Sequence, residues 1–275
     1  MKISKFPNLI LAILVSINLI SCEQVISIDL NTASPRLTVT AIVTDQPGPY
    51  SVVLSRTESY FSSNDLFPAV RNAIVTISDD AGNSEILSET TPGTYKTSSL
   101  QGTSGRTYHL KIIDENQTYE AYSYLPYPVK LDSVSSQKVT TTGRKENSNS
   151  YYLKCFFNDP AGSIDYYRVE STVANTDTLA SVYQIYSDQV TDGQKIVFPL
   201  QRPTFNPGDI ADVELYHINS VNYDYFKTAN NILRNKKGPM AAASAPQANP
   251  LTNISGGAMG YFGTFAVSKK RLIVK

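Results

Sequence analysis

The sequence predicts a mainly β protein built of two β-sandwich domains, the second carrying one packed α-helix. Three observations predict it. Short stretches alternating apolar and polar residues recur along the chain, each bounded by Gly, Pro, Asn or Asp. Pro126 and Pro128 break that series near its middle. A single late stretch, 221–236, contains neither Gly nor Pro and has helical periodicity.

The first series begins at 25–30 and continues through 37–43 and 50–54, the last two separated by the turn residues Asp45-Gln46-Pro47-Gly48-Pro49. Residues 73–78 and 85–87 flank Asp79-Asp80-Ala81-Gly82-Asn83, a hairpin in which Gly82 takes a positive φ. Residues 108–113 and 119–124 pair across Asp114-Glu115-Asn116-Gln117. About seven short strands at this spacing make a sandwich. The second series comprises 131–139, 151–157, 166–173, 181–186, 195–200 and 211–218. A polar hairpin tip is expected at 140–149, and Asp159-Pro160-Ala161-Gly162 is expected to turn the next pair.

The helix at about 221–236 has Asn219 or Ser220 as its cap, Gly238 beyond its end, and Lys236 and Lys237 at the negative end of its dipole. Val221, Tyr225, Ala229 and Ile232 form its expected apolar face, with Phe226 and Leu233 beside it. Four glycines fall between 256 and 263, and 265–267 and 272–274 read as two closing strands. Dense glycine marks close backbone approach or left-handed conformers. The same segment, with Gly256, Gly257, Gly260 and Tyr261, is a candidate binding loop rich in backbone N–H groups.

The N-terminus carries an address. Lys2 and Lys5 precede an apolar run at 9–19, and Leu19-Ile20-Ser21-Cys22 follows. A charged start, a short apolar core and a small residue describe a secretory signal peptide, and the Cys makes it a bacterial lipoprotein signal. A spanning helix needs about 20 apolar residues, more than this run supplies. Cys22 is therefore the predicted lipidation residue, and two or more acyl chains on it would give stable attachment to a membrane. The domain plan is a signal peptide at 1–21, an N-terminal sandwich at 22–125 and a C-terminal β-rich domain at 126–275.

Composition narrows the function. Removing the signal peptide, with its two lysines and no acid, leaves 22 basic and 24 acidic residues, a formal charge of −2. That balance offers no electrostatic claim on nucleic acid. Cys155 is left as the one other cysteine, inside the apolar run 151–157, so no intramolecular disulfide forms. It reads as a buried, inert thiol.

Catalytic patterns are missing from the sequence. There is no Gly-x-Ser-x-Gly elbow, and His109 and His217 stand far apart in different predicted domains. His217 and Glu214, three apart, fall on opposite faces of a strand. Two His and one free Cys make no zinc cluster, and the oxygen-rich residues 79–83 lack the ligand order of a calcium-binding helix-loop-helix. The expectation is no cofactor, no metal, no catalytic residue and no enzyme activity.

Taken in order, several loose motifs resemble one family. They are Cys22-Glu23 with Ile28-Asp29-Leu30, Pro35-Arg36-Leu37-Thr38-Val39, the Ala73 to Asp79 strand, Gly93-Thr94-Tyr95 through Gly102, Asp132-Ser133-Val134, and Asn253-Ile254-Ser255-Gly256-Gly257 through Gly260-Tyr261-Phe262. The chain resembles the Bacteroidota outer-membrane lipoprotein family known as domain of unknown function four-two-four-nine. The resemblance spans nearly the whole mature chain and carries over no catalytic or ligand residue. It implies a neighbouring TonB-dependent receptor, and an absent Cys-containing tail that longer members have beyond the equivalent of Lys275. Both sandwiches are expected to be of immunoglobulin- or transthyretin-like type, and the first domain is also similar to the transthyretin-like and carboxypeptidase-regulatory sandwiches of exported proteins, an analogy of fold alone. Together these imply a lipid-anchored outer-membrane accessory protein that binds a ligand or receptor beside a TonB-dependent transporter. A structural or adhesive surface module is the alternative, and a hydrolytic enzyme a third reading.

Overall fold

The computed structural model describes residues 34–58, 67–139, 150–174, 182–235 and 249–275. Cys22, the expected strand at 25–30, the hairpin tip at 140–149 and the expected cap Gly238 lie outside them. The first half of the chain contributes β1 (Leu37–Thr44), β2 (Ser51–Arg56), β3 (Ile74–Asp79), β4 (Ser84–Ile86), β5 (Ser88–Thr91), β6 (Thr94–Lys96), β7 (Thr107–Asp114) and β8 (Gln117–Tyr124). The second contributes β9 (Leu131–Lys138), β10 (Tyr151–Asn158), β11 (Tyr166–Val173), β12 (Val182–Ser187), β13 (Lys195–Phe205), β14 (Ile210–Ile218), α1 (Ser220–Asn235) and β15 (Met259–Ile273).

Alternation of side chains builds two cores. Val39, Ala41 and Val43 of β1 point inward and are fully buried, while Thr38, Thr40 and Ile42 point the other way. They meet Val75, Ile77, Leu110 and Ile112 of the facing sheet β4-β3-β7-β8. Each such aliphatic side chain contributes roughly 1.5–3 kcal/mol by leaving water. The second core packs Leu153, Cys155 and Phe157 of the sheet β13-β10-β9 against Tyr167, Val169, Val213 and Leu215 of β11 and β14. Cys155 is fully buried, and that burial pushes its thiol up to about 12.

The two sandwiches share a strand. A continuous sheet runs β12-β11-β14-β15-β1-β2-β6-β5, and β15 is its hinge piece. Residues 259–265 pair in parallel with β1, whereas residues 266–273 pair antiparallel with β14. The expected closing strands at 265–267 and 272–274 are thus one 15-residue strand that starts earlier. Its glycines do not end it. Gly260 takes φ +92, and Gly263 leaves room for the Phe265 ring, which a β-carbon would approach to 2.3 Å. Ile254, Ala258, Phe262 and Ala266 belong to the first core although they follow the second sandwich in sequence. Pro35 to Lys275 consequently forms one unit.

The expected hairpins form where turn chemistry is strongest. β3 and β4 pair around Gly82 at φ 89, and β7 and β8 pair around Glu115 at φ 52. The turn expected at 159–162 does form, but it does not join a strand pair: β10 pairs with β9 and β13, and β11 with β12 and β14. The chain there crosses from one sheet to the other. From β4, the Glu85 carboxylate gathers the loop 98–100, accepting the N–H groups of Ser98, Ser99 (3.1 Å) and Leu100 (2.7 Å) and both serine hydroxyls.

Helix α1 lies on the outer face of the shared sheet. Asn219 caps it, its Oδ1 accepting the Asn222 N–H at 3.0 Å. The buried face differs from the expected one: Val221 is exposed, and Asn222 and Phe226 are buried. Asn222 faces inward because polar partners await it. Its Nδ2 donates to the Phe262 carbonyl at 2.9 Å, and its Oδ1 accepts the Ser123 hydroxyl at 3.2 Å. Phe226 packs on Tyr261 and Phe265, and the Arg168 guanidinium sits over both Phe226 (4.4 Å) and Tyr183 (4.6 Å) while pairing with Glu170.

Candidate functional site

The densest chemistry lies at one end of the second sandwich, where two connections cross between its sheets. One, residues 159–165, leads from β10 to β11; the other, 188–194, leads from β12 to β13. Backbone and carboxylate groups bind them together. Asp159 N–H donates to the Gln194 carbonyl (3.0 Å), Gly193 N–H to Asp159 Oδ2 (2.9 Å), Asp165 N–H to Asp188 Oδ1 (2.8 Å) and Gly162 N–H to Asp192 Oδ1 (2.9 Å).

This arrangement brings Asp159, Asp165 and Asp188 together, each offering an oxygen within 4.8 Å of the others. All three are buried, Asp188 completely. The Tyr167 hydroxyl donates to Asp159 Oδ1 at 2.5 Å. Burial, and then that bond to a carboxylate, push the Tyr167 hydroxyl well above its ordinary value, so it remains a donor. Burial also raises the Asp188 carboxyl to about 6 against the lowering effect of the Asp165 N–H, and the negative Asp159 and Asp165 add to the rise.

His217 joins this group from β14. Its Nδ1 lies 2.7 Å from the Tyr127 carbonyl oxygen, which can only accept, so Nδ1 carries a proton. Its Nε2 lies 3.2 Å from Asp165 Oδ1, and its ring stacks on Tyr167 with centroids 5.2 Å apart. Glu214, expected on the opposite face of the strand from His217, is bound to Lys269 at 2.7 Å and to the Tyr216 hydroxyl. Beside His217 opens a groove of about 410 Å³ between the two sandwiches, lined by Tyr124, Pro126, Tyr127, Pro160, Asp165 and Tyr166. Aromatic and proline side chains with a few polar groups at a junction between cores are the ordinary make-up of a binding cleft.

The glycine-rich segment lies elsewhere. Ile254 bridges to Ala121 of β8, and Ser255 exchanges hydrogen bonds with Glu120. A β-carbon at Gly256 would lie 2.8 Å from the Tyr119 ring, whereas Gly257 faces open space and its carbonyl accepts Arg36 Nε at 2.7 Å. Gly260 lies against β1, and Tyr261 is buried beneath α1 with its ring 4.6 Å from Tyr225. The four residues thus have distinct surroundings: Tyr119 at Gly256, open space at Gly257, β1 at Gly260 and α1 above Tyr261. The oxygen-rich turn at 79–83 is closed on itself: Asp79 accepts the Ala81 and Asn83 N–H groups and the Arg106 guanidinium. His109 stacks on Tyr122 at 4.3 Å, far from His217 in the fold's other sandwich.

Sequence reasoning missed the three aspartates. They stand outside the strands, and each looks like an ordinary turn residue. The available signal was positional: Asp159, Asp165 and Asp188 each occupy a strand end facing an inter-sheet connection.

Among solved structures the chain is similar, at low identity, to the following. A two-domain fibronectin type III segment of chicken tenascin is 14% identical, covering 66% of this chain and 90% of that one, with a TM-score of 0.21. The three fibronectin domains FN1–FN3 of chicken CNTN1 are 13% identical, covering 69% and 62%, with a TM-score of 0.27. The chain of a cytokine receptor complex is 10% identical, covering 86% and 95%, with a TM-score of 0.23. No curated protein matches the chain in sequence. A family model does match, over residues 23–271, and its description is Domain of unknown function (DUF4249). With its two fused sandwiches and nearly its whole length matched, the chain belongs to the DUF4249 family.

Proposed function

We propose that this protein is a lipid-anchored cell-envelope binding protein that serves as an accessory to a TonB-dependent outer-membrane transporter. One observation carries the reading: the charged start, short apolar run and Leu19-Ile20-Ser21-Cys22 at the N-terminus. Lipid on Cys22 tethers the chain, and processing there leaves a short stretch before the first described strand at Leu37. The family membership is compatible with this reading and assigns no activity of its own. The junction groove supplies the binding face, because exposed Tyr127 and Tyr124 flank it with the chain's clustered prolines. It takes an extended partner segment or a small apolar ligand rather than nucleic acid, given the balanced charge.

The test has two arms. Metabolic labelling with a radioactive fatty acid should mark the wild-type protein and not Cys22→Ala. The anchored protein should co-purify with a TonB-dependent transporter, and Tyr127→Ala should weaken that association at least tenfold. An unlabelled wild type refutes the anchor. A labelled protein that captures no transporter, with uptake unchanged in a deletion strain, refutes the accessory role.

A further inference from the structure

We propose that Asp159, Asp165 and Asp188 form a Ca²⁺ site that locks together the two connections crossing between the sheets of the second sandwich. Three carboxylates whose oxygens lie within 4.8 Å of one another repel strongly in a buried setting. Among the described residues, no Lys or Arg pairs with any of them; the one ion pair is His217 with Asp165. Asp188 also makes a side-chain contact with the Asp159 carboxyl, so the two acidic groups face each other directly.

A second observation points the same way. Asp188 is fully buried, and its Oδ1 is satisfied by the Asp165 N–H at 2.8 Å. Its Oδ2 meets no donor. A buried acceptor without a donor costs about 1–3 kcal/mol, more when charged. A cation within the cluster removes that cost and the mutual repulsion together.

The donor set selects the cation. Oxygen ligands without a thiol suit hard metals rather than zinc or copper. Ca²⁺ binds six to eight oxygens at about 2.3–2.6 Å in flexible geometry, so three carboxylates gathered within 4.8 Å of one another can share it with waters. Mg²⁺ demands a tighter octahedron at about 2.0–2.1 Å. Supporting contacts already orient the ligands: Gly193 N–H and the Tyr167 hydroxyl hold Asp159, and the Ser163 hydroxyl and His217 hold Asp165. Asp165 also borders the open groove, which gives a path for the ion and for the waters that complete its shell.

The experiment uses the full chain, washed with EDTA and titrated with CaCl₂ by calorimetry. Binding is expected at a Kd of about 10⁻⁴–10⁻³ M, the range of extracellular calcium modules. At 10 mM Ca²⁺ the melting temperature should rise by about 3–10 °C. Tb³⁺ should luminesce when excited through tyrosine, since Tyr167 is bonded to a ligand. Asp188→Asn keeps the shape and should abolish both the heat and the shift. Silent calorimetry and an unmoved melting temperature in the wild type would overturn the proposal, leaving carboxylates that share protons. An Asp188→Asn chain that still responds fully would overturn it too, and an equal response to Mg²⁺ would overturn the choice of Ca²⁺.

Discussion

Gly260 approaches Val39 so closely that a β-carbon on it would lie 1.9 Å from the Val39 carbonyl oxygen. The contact occurs where β15 enters its parallel pairing with β1, in register Val39↔Gly260. Gly260 also has φ +92, a conformation that residues with side chains avoid. Gly260→Ala should therefore destabilise the protein by at least about 3 kcal/mol, through strain and through displacement of backbone. Gly257→Ala shares the positive φ but meets nothing within 4 Å, and should cost about 1 kcal/mol. Urea denaturation of the two variants separates the effect of close approach from that of conformation.

Asn222 joins three elements at once, reaching Ser123 of β8 and the Phe262 carbonyl of β15 from α1. Asn222→Ala would remove one hydrogen bond from each partner and leave a buried gap, although the Phe262 carbonyl keeps Asn253 Nδ2 and Ser123 keeps Asn219 and Thr264. A loss of about 2–3 kcal/mol is expected, against less than about 0.5 kcal/mol for exposed Val221→Ala. Chemical denaturation of both variants checks the ranking, which is the reverse of what hydrophobicity alone would give.

Glu85 should give the protein part of its acid sensitivity. Burial raises its carboxyl, but the N–H and hydroxyl groups of Ser98 and the N–H groups of Leu100 and Ser99 outweigh it and hold it at about 2, against 4.5 unperturbed. A depressed folded value means the stabilisation is fully present above about pH 4.5 and disappears as pH falls through about 2. The residue is half-buried at the surface, so solvent screening reduces its contribution to about 1 kcal/mol. Glu85→Gln should lose that amount at pH 7 and should show a flatter stability profile between pH 4.5 and 2.

Cys155 should be silent to thiol reagents. Its thiol is buried and pushed up to about 12 by that burial, so almost no thiolate exists at pH 8 and none is accessible. In a Cys22→Ser chain, Ellman's reagent should release no colour from folded protein and one equivalent after guanidinium unfolding. Rapid labelling of the folded chain would place Cys155 outside the core.

Local chemistry made much of the fold legible. Gly82 and the Glu115-Asn116 turn specify hairpins within a few residues, and the alternation of Val39, Ala41 and Val43 names the buried face of β1. Long-range choices were not legible. Dense glycine from 256 to 263 marked close backbone approach, as Gly260 and Gly263 show, but not that one strand runs through them past β1 and seats Phe265. Asn222 lay outside the expected apolar face because its partners, Ser123 and Phe262, are remote in sequence. The aspartate cluster was hidden for the same reason. Asp159 and Asp188 belong to different connections, and only the crossing of both between the same two sheets brings them together.

The strand shared by the two sandwiches has a consequence for how the molecule is made. Synthesis delivers β1 early and β15 late, so the flank of β1 stays open until residues 259–265 arrive to cover it. Neither core can close vectorially, one behind the other. Completion of the first core therefore waits for the last strand, and pairing over so long a sequence separation makes that step late and slow. β15 then acts as a latch: a single protease cut within 259–273 would open both cores at once.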